Sequence, residues 1–220
     1  EFVPEVNVSM ASKSARAGLV VASIAIAGGE PRLHAQDLAP RAYTVTPRGS
    51  NAFTLANAYN DGPLQLEGAS PIEDGTARLN APSLTYYRAF SLLGRSANVI
   101  AGVAYGVGDF EGSLFGERES THRSGLFDSV VRVSVNLVGG PAMSLPEMRT
   151  WRQKTLLGVS LKVTAPTGQY DPTKLINLGT NRWAFKPELG LSRRWGNWLL
   201  DAYGGVWLYT ENPEFFSRNE

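Results

Sequence analysis

Leu157-Gly158-Val159-Ser160-Leu161-Lys162-Val163-Thr164 is the stretch that decides how this sequence folds. Every odd position is aliphatic, and every even one is small, polar or charged. Trp183-Ala184-Phe185-Lys186-Pro187-Glu188-Leu189-Gly190-Leu191-Ser192 repeats the pattern. A strand turns successive side chains to opposite faces, so this spacing describes one apolar face and one wet face. Soluble sandwiches share that feature. Strand length, aromatic placement and an export segment separate the two readings.

Seven strands follow from the alternation: Asn51–Tyr59, Leu84–Leu93, Asn98–Phe110, Phe127–Val138, Trp151–Ala165, Asn181–Arg194 and Asn197–Thr210. In the third, Val99, Ala101, Val103, Tyr105 and Val107 oppose Asn98, Gly102, Gly106 and Gly108. In the fourth, Val131, Val133, Val135 and Leu137 oppose Asp128, Arg132, Ser134 and Asn136. Strands of soluble proteins average about 5–6 residues, whereas a tilted membrane strand needs about 9–11. Most of these segments reach the second length.

The connections alternate as well. Gly94–Ala97 and Trp195–Asn197 read as tight turns, and Gly139–Thr150 is intermediate. Asn60–Ser83, Glu111–Leu126 and Pro166–Thr180 read as long polar loops. Outer-membrane barrels have brief periplasmic turns and longer outer loops, which puts the N-terminus in the periplasm. Trp151, Trp183, Trp195, Trp198 and Tyr209 fall near strand ends, as an interfacial aromatic girdle would place them. Arg88 shares a face with Tyr86 and Phe90, so the second strand is expected to carry a bulge or a shifted register.

The front of the chain reads as an export signal over residues 10–35. Lys13 and Arg16 follow Met10, Ala17–Ala27 forms an apolar run, and Leu33-His34-Ala35 offers a cleavage point before Gln36. The run is shorter than the roughly 20 residues a membrane helix needs; a buried core helix is the competing reading. Residues 1–9 precede the first initiator methionine and are set aside as leader. Residues 36–220 are assigned to the barrel.

Composition narrows the function. A net charge of +1, from 21 basic and 20 acidic residues, gives no field for nucleic acid. The absence of cysteine removes thiol chemistry, disulfides and thiolate metal sites. His122 is the sole histidine beyond the signal and sits in a polar loop without an evident triad. No metal site and no cofactor are expected.

These observations predict an all-β fold: an antiparallel transmembrane β-barrel in the cell outer membrane. With aliphatic faces against lipid, Arg132, Lys162, Lys186, Glu188, Asp201 and Tyr203 point into the lumen. There they either set selectivity or pair across it as filling. The expected partners are outer-membrane lipid and a small-molecule solute, with a homo-oligomer open. A seventh strand ending outside leaves open edges in lipid, so the barrel is expected to be incomplete. A non-enzymatic transporter or porin-like channel fits best. A barrel hydrolase and a structural or adhesive envelope barrel with a plugged lumen are the alternatives.

Three segments carry a family resemblance: Ser124-Gly-Leu-Phe-Asp-Ser129, Gly158-Val-Ser-Leu-Lys-Val-Thr-Ala-Pro-Thr-Gly-Gln-Tyr-Asp171 and Leu175-Ile-Asn-Leu-Gly-Thr-Asn-Arg-Trp183, with Phe185, Pro187 and Gly190. Residues 37–220 resemble the outer-membrane proteins of the meta-pathway of phenol degradation family. The resemblance implies about a dozen strands, with about seven of them here, and passage of small, often aromatic, molecules. It supplies no catalytic or binding residues. By turn chemistry Pro166–Asp171 ends a strand, and Asn177 and Asn181 flank Gly179 in a loop that folds back. An inward-folded constriction loop is the sharper reading of the same residues.

Overall fold

The structure, a computed structural model, describes residues 4–12, 43–63 and 72–214, the first of these as backbone alone. Ten strands form one antiparallel sheet: β1 (Pro4–Ser12), β2 (Asn51–Pro63), β3 (Ile72–Leu92), β4 (Arg95–Leu114), β5 (Glu117–Leu126), β6 (Ser129–Val138), β7 (Thr155–Ala165), β8 (Ala184–Trp195), β9 (Trp198–Val206) and β10 (Leu208–Tyr209). One short helix, α1 (Leu145–Thr150), lies between β6 and β7. The spatial order is β1-β9-β8-β7-β6-β4-β3-β2, an up-and-down meander from β2 to β9. Among the described residues no helix is long and apolar enough to cross a membrane, which says nothing of strands.

All seven expected strands are present, and the surplus arises from breaks and extensions. β5 and β6 lie end to end along β4: Tyr105↔Leu126 continues to Leu114↔Glu117, and Gly102↔Val130 continues to Ala97↔Val135. They are one crossing interrupted at Phe127-Asp128. β9 and β10 likewise both pair with β8 and are separated by Trp207.

Three expectations need correction. Asn60–Ser83 is not a loop, because β2 runs to Pro63 and β3 begins at Ile72. Glu111–Leu126 is a hairpin closed at Phe115-Gly116, where both residues have positive φ as a two-residue hairpin turn requires. The fifth strand starts at Thr155, and Trp151 stands at the end of α1. The missed extensions are polar on the outer face, and in β3 the apolar residues Ala77 and Leu79 turn inward onto a core, the reverse of the alternation that marks a strand half in lipid. The 20 residues of β4 span about 66 Å at ~3.3 Å each, well past a hydrocarbon core of about 30 Å.

The residues 4–12, set aside above as leader and signal, pair with β9 from Pro4↔Val206 to Ser12↔Trp198. The edge of β9 offers unpaired backbone groups, and an extended segment satisfies them. The rest of the expected signal lies outside the described residues.

The two faces of the sheet are opposite to those of a soluble protein. Val103, Tyr105, Val131, Val133, Leu189 and Leu191 are exposed on the outer face, and Leu161 is 45% exposed. On the inner face Asn98, Ser134, Asn136 and Ser192 are buried, with Lys186 4% and Asp201 6% exposed. So much contiguous exposed apolar surface calls for a non-aqueous neighbour. Arg88 does lie on the outer face: the β3–β4 register is unbroken from Ser83↔Ala104 to Leu92↔Arg95, and the one irregularity falls between Glu73 and Thr76. A row of outward charges, Asp61↔Arg78↔Asp109↔His122, closes the apolar band at the hairpin end. Arg78 Nε is 3.3 Å from Asp61 Oδ2, and His122 Nδ1 is 2.7 Å from Asp109 Oδ1.

Two small cores sit on the inner face, one at each end. Val45, Met143 and Leu156, with Met148 and Trp151, cluster at the short-turn end. Ala77, Phe110 and Leu178, with Leu79, Phe127 and Ile176, cluster at the other.

Candidate channel interior

Registered strands place the polar residues of β6 to β9 in rungs. Arg132↔Lys162↔Lys186 is one rung, Ser134↔Ser160↔Glu188 the next, and Asn136↔Gly158↔Gly190↔Tyr203 the third. Asp201 follows opposite Ser192. All six predicted interior residues therefore project from the inner face of one patch of wall. Three adjacent cations repel one another, and like charges directly opposite destabilise a sheet. Glu188 offsets this from the next rung: its Oε1 is 3.1 Å from Arg132 Nη2 and its Oε2 is 4.0 Å from Lys186 Nζ. The Trp207 ring lies beneath the other side of the rung, 5.3 Å from the ammonium of Lys162 and 5.3 Å from that of Lys186. Alternation along β9 carries Trp207 to this face after Asp201, Tyr203 and Gly205, and the register with β8 is the same on both sides of the β9–β10 break.

The centre of the patch is a residue that strand reasoning passed over. Tyr43 precedes β2 and is 2% exposed. Its hydroxyl lies 3.1 Å from Ser160 Oγ and 3.1 Å from Glu188 Oε1, while its carbonyl accepts a hydrogen bond from Asn136 Nδ2 at 3.1 Å. The ring stacks on Tyr203 at 5.9 Å, and the Arg132 guanidinium sits 5.6 Å from its centroid. Burial, with Glu188 close by, pushes the phenol up to about 12. It therefore stays protonated and donates to the Glu188 carboxylate.

Gly158 and Gly190 explain why the ring fits there. They pair across β7 and β8, and a Cβ on either would stand 2.2 or 2.0 Å from a Tyr43 ring carbon. Both glycines fall where the inner face would otherwise carry side chains, and that gap is the signal in the sequence for a docked ring. Backbone bonds from Arg48 to Met143 and from Gly49 to Ala89 then hold the segment after Tyr43. Thr46 Oγ1 and the Tyr87 hydroxyl add a side-chain bond.

Residues 166–183 enter from the hairpin end. Asp128, at the β5–β6 break, accepts from Gly168 N at 2.8 Å and from Thr180 N and Oγ1 at 2.8 and 2.7 Å, so it clasps both ends of the loop. Arg123 Nε donates to Ile176 O at 2.8 Å. The loop thereby buries Leu178 against Ala77 and Phe110 on the inner face, the inward course that turn chemistry alone left open. Within it Asn177 bonds Asp171 and Lys174, and two hydrogen bonds from Thr173 lower the Asp171 carboxyl to about 2.

The expected girdle residues separate. Trp195 and Trp198 face outward at the short-turn end, joined by a turn with positive φ at Gly196. Trp183 and Tyr209 stand at the hairpin end, where Trp183 stacks on Phe185 at 6.2 Å. Trp151 instead packs on the inner cluster around Met143. His122 pairs with Asp109, but no serine hydroxyl reaches it among the described residues, and no cluster there could hold a metal.

Comparison with known proteins places the chain. The family model for the MetA-pathway of phenol degradation matches residues 61–219. The chain belongs to this family. The resemblance read from Ser124–Ser129, Gly158–Asp171 and Leu175–Trp183 is borne out by that match. In structure it is similar to an outer membrane channel from Pseudomonas putida F1, with a TM-score of 0.55 and 19% identity over 82% of this chain and 64% of that one. That likeness shows the fold of an outer-membrane barrel wall, and the chain spans 64% of the channel's length. No curated protein matches the sequence.

Proposed function

We propose that the protein is an outer-membrane channel that admits small apolar or aromatic solutes by passive diffusion, without cofactor or catalysis. The observation that carries this reading is the reversal of the faces, with Lys186 and Asp201 buried inside and aliphatic residues exposed outside. An aqueous or semi-polar lumen lined by Arg132, Lys162, Lys186, Glu188, Asp201 and Tyr203 follows from it. Charges placed in a pore wall set its selectivity. Tyr43 from the short-turn end and residues 166–183 from the other narrow the passage. A narrow, partly apolar route excludes hydrated sugars and passes a flat ring more readily. The family's association with phenol degradation and the channel fold of the solved relative support the same reading.

The orientation belongs to this proposal: short turns in the periplasm, long hairpins outside. Residues 10–35 act as the export signal, so its removal takes β1 from the edge of β9, and N-terminal sequencing of the membrane-inserted protein returns Gln36. Liposome swelling with phenol-like solutes against sugars tests the permeation. Swelling by phenols with sugars excluded is the expected result, and no swelling by either class sinks the channel reading. The tight Tyr43 packing also favours a plugged envelope barrel, which that second result would support.

A further inference from the structure

Exposed charge differs between the two ends of the wall. At the short-turn end the exposed cations include Arg88, Arg95, Arg149, Arg152, Lys154 and Arg193, and the one exposed carboxylate there among the described residues is Glu147. Glu147 is already occupied, accepting from the Ser144 backbone and hydroxyl at 2.6 and 2.7 Å. The hairpin end is mixed, with Asp61, Asp109 and Glu111 exposed beside Arg78, Arg118 and Lys174. Exposed aliphatics interleave with the cations: Leu92 and Leu93 at the β3–β4 turn, and Leu145 at the start of α1. Arg193 lies over the outward Trp195 ring at 4.8 Å.

We propose that this end docks the headgroups of anionic phospholipids. Interleaving decides the class of partner. An acidic protein or a soluble polyanion would be met by cations alone, whereas a bilayer boundary presents phosphate beside acyl chain. Arginine stems run along apolar surface and lift the guanidinium to the phosphate level. Tryptophan occupies the same level, and Arg193 on Trp195 joins both anchors. Anionic lipid attracts each cation within about a Debye length of the surface. The choice of phospholipid over lipid A phosphate rests on the orientation proposed above.

The test uses the protein in vesicles, with Trp151, Trp183 and Trp207 replaced by Phe so that Trp195 and Trp198 report. Fluorescence quenching by brominated phosphatidylglycerol is compared with quenching by brominated phosphatidylcholine. The expected relative affinity is about three-fold or more for the anionic lipid, falling towards one in roughly 0.5 M salt. Arg88→Gln, Arg95→Gln and Arg193→Gln together remove the preference while heat-modifiable mobility stays intact. Should that variant not fold, Arg193→Gln alone lowers the ratio at Trp195. Equal quenching in the unaltered charge pattern, or an undiminished preference in the variants, overturns the proposal. Stronger competition by lipid A than by phosphatidylglycerol overturns the assigned lipid. Surface labelling of Ser144→Cys on intact cells then shows whether orientation was the fault. Solute permeation does not enter this measurement, so the channel reading stands or falls separately.

Discussion

The Tyr43 hydroxyl lies 3.1 Å from Glu188 Oε1, tying a segment ahead of the first membrane strand to the inner face of β8. The bond closes a circuit in which Glu188 also holds Arg132 and Lys186. Interior charge and interior filling are therefore one structure: what shifts Tyr43 shifts the compensation of the cationic rung.

Gly190→Val sets side-chain atoms where the Tyr43 ring lies, so the ring must leave its seat. Overpacking of this kind costs about 1–3 kcal/mol. The variant is expected to unfold at a lower temperature in detergent and to conduct more than the parent in planar bilayers. Tyr43→Ala is expected to raise conductance without the strain.

Glu188→Gln leaves Arg132 and Lys186, both largely buried, without their shared carboxylate. Breaking a buried pair from one side costs on the order of 3 kcal/mol. The pore should shift towards anions, read as a change in reversal potential across a salt gradient. Lys186→Glu should shift it towards cations, and an unchanged reversal potential would place Lys186 outside the conduction path.

Asp128→Ala releases Gly168 and Thr180 together. Current noise should increase, and protease should cut within residues 166–183 where the parent resists. Deleting Thr173–Asn177 should alter conductance; no change would remove the loop from the constriction.

Two groups set a pH dependence of opposite sense. Asp171 is lowered from 3.8 to about 2, so the loop order it supports is complete above pH 3.8 and fades as pH falls to about 2. Tyr43 is raised from 10.0 to about 12, so its contribution is complete below pH 10 and is lost as pH rises through about 12. Conductance noise against pH checks the first limb, with Asp171→Asn abolishing it. Thermal unfolding against pH checks the second, with Tyr43→Phe flat across that range.

What was legible in the sequence follows the lipid. Where a strand has hydrocarbon on one side, as in Leu157–Thr164, alternation is enforced and the reading holds. Beyond the band, at Asp61, Arg78, Asp109 and His122, the outer face turns polar while Ala77 and Phe110 are buried inside, and the extended hairpins look like loops. The interior residues of β6 to β9 were legible as a face, but their pairing needed the register that puts Glu188 beside the cationic rung. Tyr43 was not legible, because its seat is made by glycines more than a hundred residues away (Ser160 is 117 positions on). Nor was the inward course of residues 166–183, which depends on a carboxylate at the Phe127-Asp128 break.

The account depends most on the direction of the faces, and the absence of cysteine permits a direct test. Leu161→Cys and Lys162→Cys differ by one position in β7 and point to opposite sides of the wall. A charged, membrane-impermeant methanethiosulfonate should modify the cysteine at 162 and change conductance, while leaving the one at 161 unreacted in the bilayer. Modification at 161 with protection at 162 would turn the wall inside out and contradict the account.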